Sequence, residues 1–239
     1  MLRQIAGFVF DYIFTGKPRS LGGDHNAKLV EYGVARFGKM GHILGDEPLA
    51  ILAAVHYFTN TTPWSLQYFL LEEVCTPNDT ARGTALEHLG AYLLAAAFRL
   101  PRRLSDIFEF VGVSDLGNQR AHLVAIHQSS HGTLEYTPVD IFSSQQGTYI
   151  LGHSPRTEAE TLSWLRDPKR VAFCFPAHTF GPDLILFLLL EDSTLLRVLL
   201  QFKYRSAMGP KATSEAYRTT DPSLFVSQLT NSGKPQARP

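Results

Sequence analysis

Residues 181–203 read GPDLILFLLLEDSTLLRVLLQFK. Two apolar runs, 184–190 and 195–203, flank Glu191-Asp192-Ser193, a polar three-residue loop of usual hairpin length. A register centred on Asp192 sets Leu190 opposite Thr194 and, counting back, Asp183 opposite Gln201. Directly opposed side chains project to one face with Cβ atoms about 5 Å apart. The two-residue period of a strand adds Lys203 to that face. The spacing therefore predicts an acid, an amide and an amine converging at the open end of a greasy hairpin.

Upstream, helical periodicity dominates the first hundred residues. Leu49, Leu52, Ala53 and His56 follow Pro48, which suits the first turn of a helix. A second helix is expected over 64–74. A third is expected over about 81–98, with cap candidates Asn78, Asp79 and Thr80 before it and Pro101 after it. This third helix is apolar on several sides, which predicts deep packing. Beyond Pro101 the pattern turns to strands at 107–113 and 122–127. A long Ser/Gly/Pro/Gln-rich loop is expected over 129–155, with a short strand at 148–151. A short helix over 158–165, a short strand over 171–175, the hairpin, and a partly helical segment within 212–229 complete the reading. The polar tail 231–239 is expected to be disordered.

Composition narrows the class. The chain has 239 residues and is 44% hydrophobic, which supports a real core and excludes a disordered or collagen-like polymer. Lys and Arg balance Asp and Glu at 22 each, so nothing about the whole molecule acts as an electrostatic magnet for nucleic acid. Charged residues make up 18%, fewer than a free-standing domain usually carries, which suggests a piece that packs against other parts. Two cysteines, Cys75 and Cys174, cannot frame a disulfide scaffold, and no apolar run is long enough to span a bilayer. The N-terminal apolar stretch is broken by Asp11 and lacks a signal-peptide cleavage pattern, so an intracellular protein, nuclear or cytoplasmic, without a membrane partner is expected.

Several tempting signals carry little. Residues 33–40, GVARFGKM, nearly spell a phosphate-binding P-loop, but Met40 stands where a magnesium-binding hydroxyl is needed. His122 and His127 would face opposite sides of a strand, which argues against a zinc site with His131. Cys174 sits between phenylalanines and reads as a small buried hydrophobe.

Gly181-Pro182-Asp183, seventeen further residues and then Gln201-Phe202-Lys203 resemble the PD-(D/E)XK restriction-endonuclease-like superfamily. Gly83-Thr84-Ala85-Leu86-Glu87 looks like the glutamate-bearing core helix many members carry. The resemblance covers about residues 80–229, and more loosely the chain looks like uncharacterised fungal proteins and the C-terminal part of Crinkler-type effectors. It implies an α+β (α/β-like) fold: a helical N-terminal region over 1–79, a remnant of a larger protein, then a nuclease-like mixed sheet with flanking helices over 80–230.

The same resemblance implies Mg²⁺ (or Mn²⁺) held by Asp183, Glu87 and the Phe202 carbonyl, with Lys203 and Gln201 as catalytic groups. Hard cations of this kind take oxygen ligands and retain waters. The implied activity is metal-dependent phosphodiester hydrolysis, on DNA rather than RNA. Arg197, Arg205, Lys211 and Arg218 would contact phosphates, as would the group Arg99, Arg102 and Arg103. Two departures matter. Gln201 is neutral where a carboxylate is commoner, which predicts weaker metal binding. The chain offers a candidate helix after Lys203 and then a polar tail where the resemblance implies a further strand, so either that strand is expected to be missing or the fold to be truncated. The alternative expectation is a catalytically inactive nuclease-like module used for binding or assembly, a fragment of an NTPase–nuclease protein with a missing NTPase part or another protein partner.

Overall fold

The computed structural model describes residues 2–16, 19–21, 27–31, 33, 35–38, 43–45, 47–60, 66–76, 78–112, 114–129, 131, 133–140, 150–168, 170–177, 180–203 and 209–221. In chain order the elements are α1 (Leu2–Thr15), β1 (Arg19–Leu21), α2 (Ala27–Glu31), β2 (Arg36–Phe37), β3 (Ile43–Gly45), α3 (Pro48–Asn60), α4 (Leu66–Val74) and α5 (Asp79–Ala97). Then follow β4 (Arg102–Arg103), a 3-10 turn (Leu104–Asp106), α6 (Ser114–Gly117), β5 (Arg120–Gln128), β6 (Leu134–Pro138), β7 (Gly152–His153) and α7 (Glu158–Arg166). The chain continues through β8 (Phe173–Cys174), β9 (Leu184–Leu190), β10 (Leu195–Leu200) and α8 (Pro210–Thr220). The fold is α+β.

Strand β9 is the spine of a mixed seven-stranded sheet. It pairs with β10 along one edge and with β5 and β8 along the other, and β4, β6 and β7 extend the sheet outward. Only β7 and β8 pair in parallel; every other pair in the sheet is antiparallel. Alternation along β9 divides the interior. Leu184, Leu186, Leu188 and Leu190 enter a large core with α1, α3, α4 and α5, while Ile185 and Phe187 enter a smaller one around Trp164 of α7. A strand covered on both faces reads as a continuous apolar run, which is the pattern of residues 184–190. Each such buried Leu contributes about 1.5–3 kcal/mol.

Helix α5 starts where its cap residues place it. Asn78 accepts a hydrogen bond from the Ala81 N–H (3.0 Å), satisfying one of the free donors of the first turn. Its neutral His88 is buried against the rings of Phe10, Phe14 and Phe175, and burial pushes its pKa down to about 3. That cluster joins α1 to α5 and to the chain just after β8. The end of α1 also lies directly on β7: the Leu151 N–H donates to Ile13 (2.6 Å), and a Cβ on Gly152 would collide with the Phe14 carbonyl. One continuous core thus links the first 79 residues to the sheet. That N-terminal part is not helical throughout, since β1, β3 and β2 form a small sheet of their own.

Three expectations are corrected. Residues 107–112 form no strand; Phe108 stacks on Phe98 (6.0 Å) and Val111 is 86% exposed, so these apolar groups plug a loop against the core one at a time. The expected loop over 129–155 contains β6, an exposed strand paired to β5, and β7 at 152–153. The second hairpin strand stops at Leu200 rather than Lys203. The partly helical C-terminal segment is α8, beginning at Pro210. Trp64, Lys39, Met40, Thr148, Arg205 and the tail 231–239 lie outside the described residues. No helix among the described residues is long and apolar enough to cross a membrane.

Candidate active site at the open end of the hairpin

The hairpin holds the register centred on Asp192, from Leu195 opposite Leu189 to Leu200 opposite Leu184. At its tip Ser193 takes φ +68°, its N–H donates to Leu190 (3.0 Å), and the Asp192 carboxylate accepts from the Thr194 N–H (2.8 Å). At the other end the ladder closes. Pro182 has no N–H to continue it. The chain bends at Asp183, whose N–H turns onto the Leu200 carbonyl (2.9 Å). The next amide, Phe202 N–H, donates to Asp183 Oδ2 instead of a strand carbonyl (2.7 Å).

Asp183 and Gln201 meet as the register requires. Gln201 Nε2 donates to the same Asp183 Oδ2. The other end of the amide is also occupied, because Thr219 near the end of α8 donates its hydroxyl to Gln201 Oε1 (2.6 Å), a proton it shares with the Ala216 carbonyl (2.7 Å). Gln201 is therefore a bridge between α8 and Asp183. It orients the carboxylate through Nε2 while its Oε1 is engaged by Thr219.

Helix α5 reaches the site through a glycine. A Cβ at Gly90 would strike the Phe202 ring, so the absent side chain is the slot into which Phe202 packs. Glu87 lies three residues earlier, on the same face of the helix and one turn nearer its start. That places it beside the residues flanking Phe202. Burial, then the charge of Asp183, push the Glu87 carboxyl up to about 7, while Lys203 pulls it partly back. Asp183 and Lys203 are thus each within electrostatic reach of Glu87. Gly83, by contrast, faces open space and makes no close approach.

Among the described residues no group of three or more His, Cys, Asp or Glu side chains could hold a metal ion. The donor set here is smaller: two carboxylates, Asp183 and Glu87, the second pushed toward its protonated form by burial and by the Asp183 charge. Oxygen donors of this type suit a hard divalent cation, and its charge would relieve the strain on Glu87. Two carboxylate donors of this kind are chemically compatible with Mg²⁺ or Mn²⁺, and Gln201, engaged with Asp183 and Thr219, would stand outside such a ligand set.

The basic residues expected to contact phosphate are dispersed. Lys211 and Arg218 are exposed on α8, and Arg218 adjoins Thr219. Arg197 is exposed in mid-β10, its guanidinium 5.6 Å from the centre of the Phe187 ring, a cation–π contact that accounts for its position without a ligand. Arg99, Arg102 and Arg103 do not flank the site. They lie beside the Leu190 end of β9, whereas Asp183 precedes its first residue, a separation of about 23 Å at strand rise.

Sequence reasoning missed Gly90 and Thr219. Gly90 carried a signal, a glycine inside an Ala/Leu-rich helix where it costs about 1 kcal/mol relative to Ala and so implies close packing. Thr219 carried none. Comparison with protein families, curated proteins and solved structures finds no match for this chain.

Proposed function

We propose that the protein is a metal-dependent phosphodiesterase acting on nucleic acid, DNA in the first instance, through Asp183, Glu87 and Lys203. The supporting observation is that the Glu87 carboxyl, on a helix, responds to the charges of both Asp183 and Lys203, which come from the two chain segments at the open end of one hairpin. Asp183 and Glu87 would hold the cation with the Phe202 carbonyl. When bound, Mg²⁺ supplies Lewis-acid polarisation of the phosphoryl group and lowers the pKa of a coordinated water. The chain's own residues do the rest. Lys203 is exposed, and its amine would orient the attacking water and offset charge developing on the phosphate. Gln201, held by Thr219, positions Asp183 through its Oδ2 atom. Lys211 and Arg218 are the described cations best placed to meet the nucleic-acid backbone beyond α8.

A second reading, an inactive nuclease-like module that binds or assembles, is favoured by one observation: Gln201 satisfies Asp183 without any cation. Plasmid DNA incubated with Mg²⁺ or Mn²⁺ separates the two. The wild-type chain should nick it, and Asp183→Ala and Lys203→Ala should lose about a hundredfold or more. Equal cleavage by all three proteins would mean a contaminant and end the first reading. Absence of cleavage with duplex binding intact would favour the second.

A further inference from the structure

A cationic concavity lies away from this site. A cavity of about 550 Å³ is lined by Ala96, Ala97, Leu100 and Pro101 on one side and by Arg99, Arg102, Arg103 and Arg120 on the other, with Asp106 the one acid in its wall. Its size is that of a small-molecule site rather than a groove for a duplex. The end of α5 explains one cation there, since Arg99 follows the helix C-terminus and also pairs with Asp140 (2.9 Å). It does not explain the others.

The sheet register brings a like-charge pair to this wall. Arg103 of β4 lies directly opposite Arg120 of β5. Opposed like charges destabilise a strand pair, and Glu191 offsets only the Arg120 side of this one, leaving Arg103 without a counter-ion among the described residues. Arg120 is held in place, donating to the Pro101 carbonyl (2.9 Å) and lying 3.6 Å from Glu191. Among the described residues neither Arg102 nor Arg103 forms an ion pair. Guanidinium groups bind phosphate oxygens in a bidentate fork, and clusters of them select polyphosphates.

We infer that this cavity binds a small polyphosphate-bearing anion, which bridges Arg103 and Arg120 with Arg102 beside them and lays its organic part on the Ala96–Ala97–Leu100–Pro101 side. The inference stands apart from the proposed hydrolysis, because the two regions occupy opposite ends of β9. Inorganic tripolyphosphate is the probe, titrated by calorimetry at low salt against wild type, Arg102→Gln/Arg103→Gln and Asp183→Ala. Wild type and Asp183→Ala should bind one equivalent with a sub-millimolar Kd that weakens with salt, and the double arginine variant should lose about tenfold or more. The double variant should keep or raise the melting temperature of the free protein, since it removes a repulsion between exposed groups. No saturable binding to wild type by about 10 mM, or undiminished binding to the double variant, overturns the inference. Loss of duplex binding in that variant, with no tripolyphosphate binding in wild type, also overturns it and assigns the arginines to nucleic acid.

Discussion

Replacing Glu87 by Gln should stabilise the metal-free protein, and by an amount that grows with pH. The side chain is largely buried, Asp183 repels it, and its pKa rises from 4.5 to about 7. Below the lower value, folded and unfolded chains both hold the proton and the substitution is nearly neutral. As pH rises the unfolded chain ionises first, so the folded chain retains a proton that the unfolded one has lost, and stability falls until the folded group also ionises near 7. At about 1.4 kcal/mol per pH unit, and allowing for partial exposure, the full loss is about 2–3 kcal/mol. Glutamine has no proton to lose. Urea denaturation at about pH 4.5, 6 and 8 should therefore show the variant's advantage growing from near zero to about 2–3 kcal/mol at the highest pH. Saturating Mg²⁺ should close the gap, because a ligand at about 100 times its Kd stabilises the chain that binds it by about 2.7 kcal/mol. An advantage that is constant with pH, or a wild type more stable than the variant at about pH 8 without metal, would refute the assignment of a strained carboxylate to position 87.

Other substitutions test the supports of the site. Gly90→Ala should cost about 1–3 kcal/mol, because the added methyl strikes the Phe202 ring, whereas Gly83→Ala, facing open space in the same helix, should gain up to about 1 kcal/mol; thermal melts of both compare them directly. Ser193→Gly should stabilise by about 0.5–1 kcal/mol in chemical denaturation by relieving a left-handed residue at the hairpin tip, and a loss there would contradict the turn geometry. Gln201→Glu should raise Mn²⁺ affinity about tenfold and lower the melting temperature of the metal-free protein, both readable by calorimetry.

How much was legible depends on how local the determinants were. The hairpin could be read because strand period, a short polar turn and its own register all lie within 23 residues. Helix α5 could be read because Asn78 and Pro101 bracket it. The apolar residues of 107–112 misled for the same reason that short apolar runs generally do: periodicity cannot separate a strand from a loop that lends single side chains to a core. Strand β6 escaped because it is short, ends in proline and is exposed along all five residues, paired to β5 by its backbone and by Glu135 with His127 (2.7 Å). The strands β1–β3, of two or three residues each, are too short to have a period. That Asp183 meets Gln201 followed from register, whereas Lys203 lies past the end of the ladder. Thr219 and the arginine-lined cavity join segments distant in sequence, so only tertiary structure reveals them.

Gln201 links Asp183 to helix α8 in a way that sets the charge balance of the site. A glutamate in its place would set a second carboxylate against Asp183, an arrangement that needs a proton or a cation between the two. The amide removes that need: it donates to Asp183, accepts from Thr219, and leaves a network complete without metal. A cation drawn to Asp183 must then rely on the remaining carboxylate oxygen and on Glu87, whose ionisation near neutral pH already costs free energy. Metal occupancy and the charge state of Glu87 are thereby coupled, and binding should release about half a proton at pH 7, and close to one at about pH 6, in wild type and none in Glu87→Gln. Glutamine makes the empty site more stable and the filled one weaker, so activity should rise steeply with both metal concentration and pH through the range where Glu87 ionises. A rate independent of pH between about 6 and 8 at limiting Mn²⁺ would show that Glu87 does not take part in holding the ion.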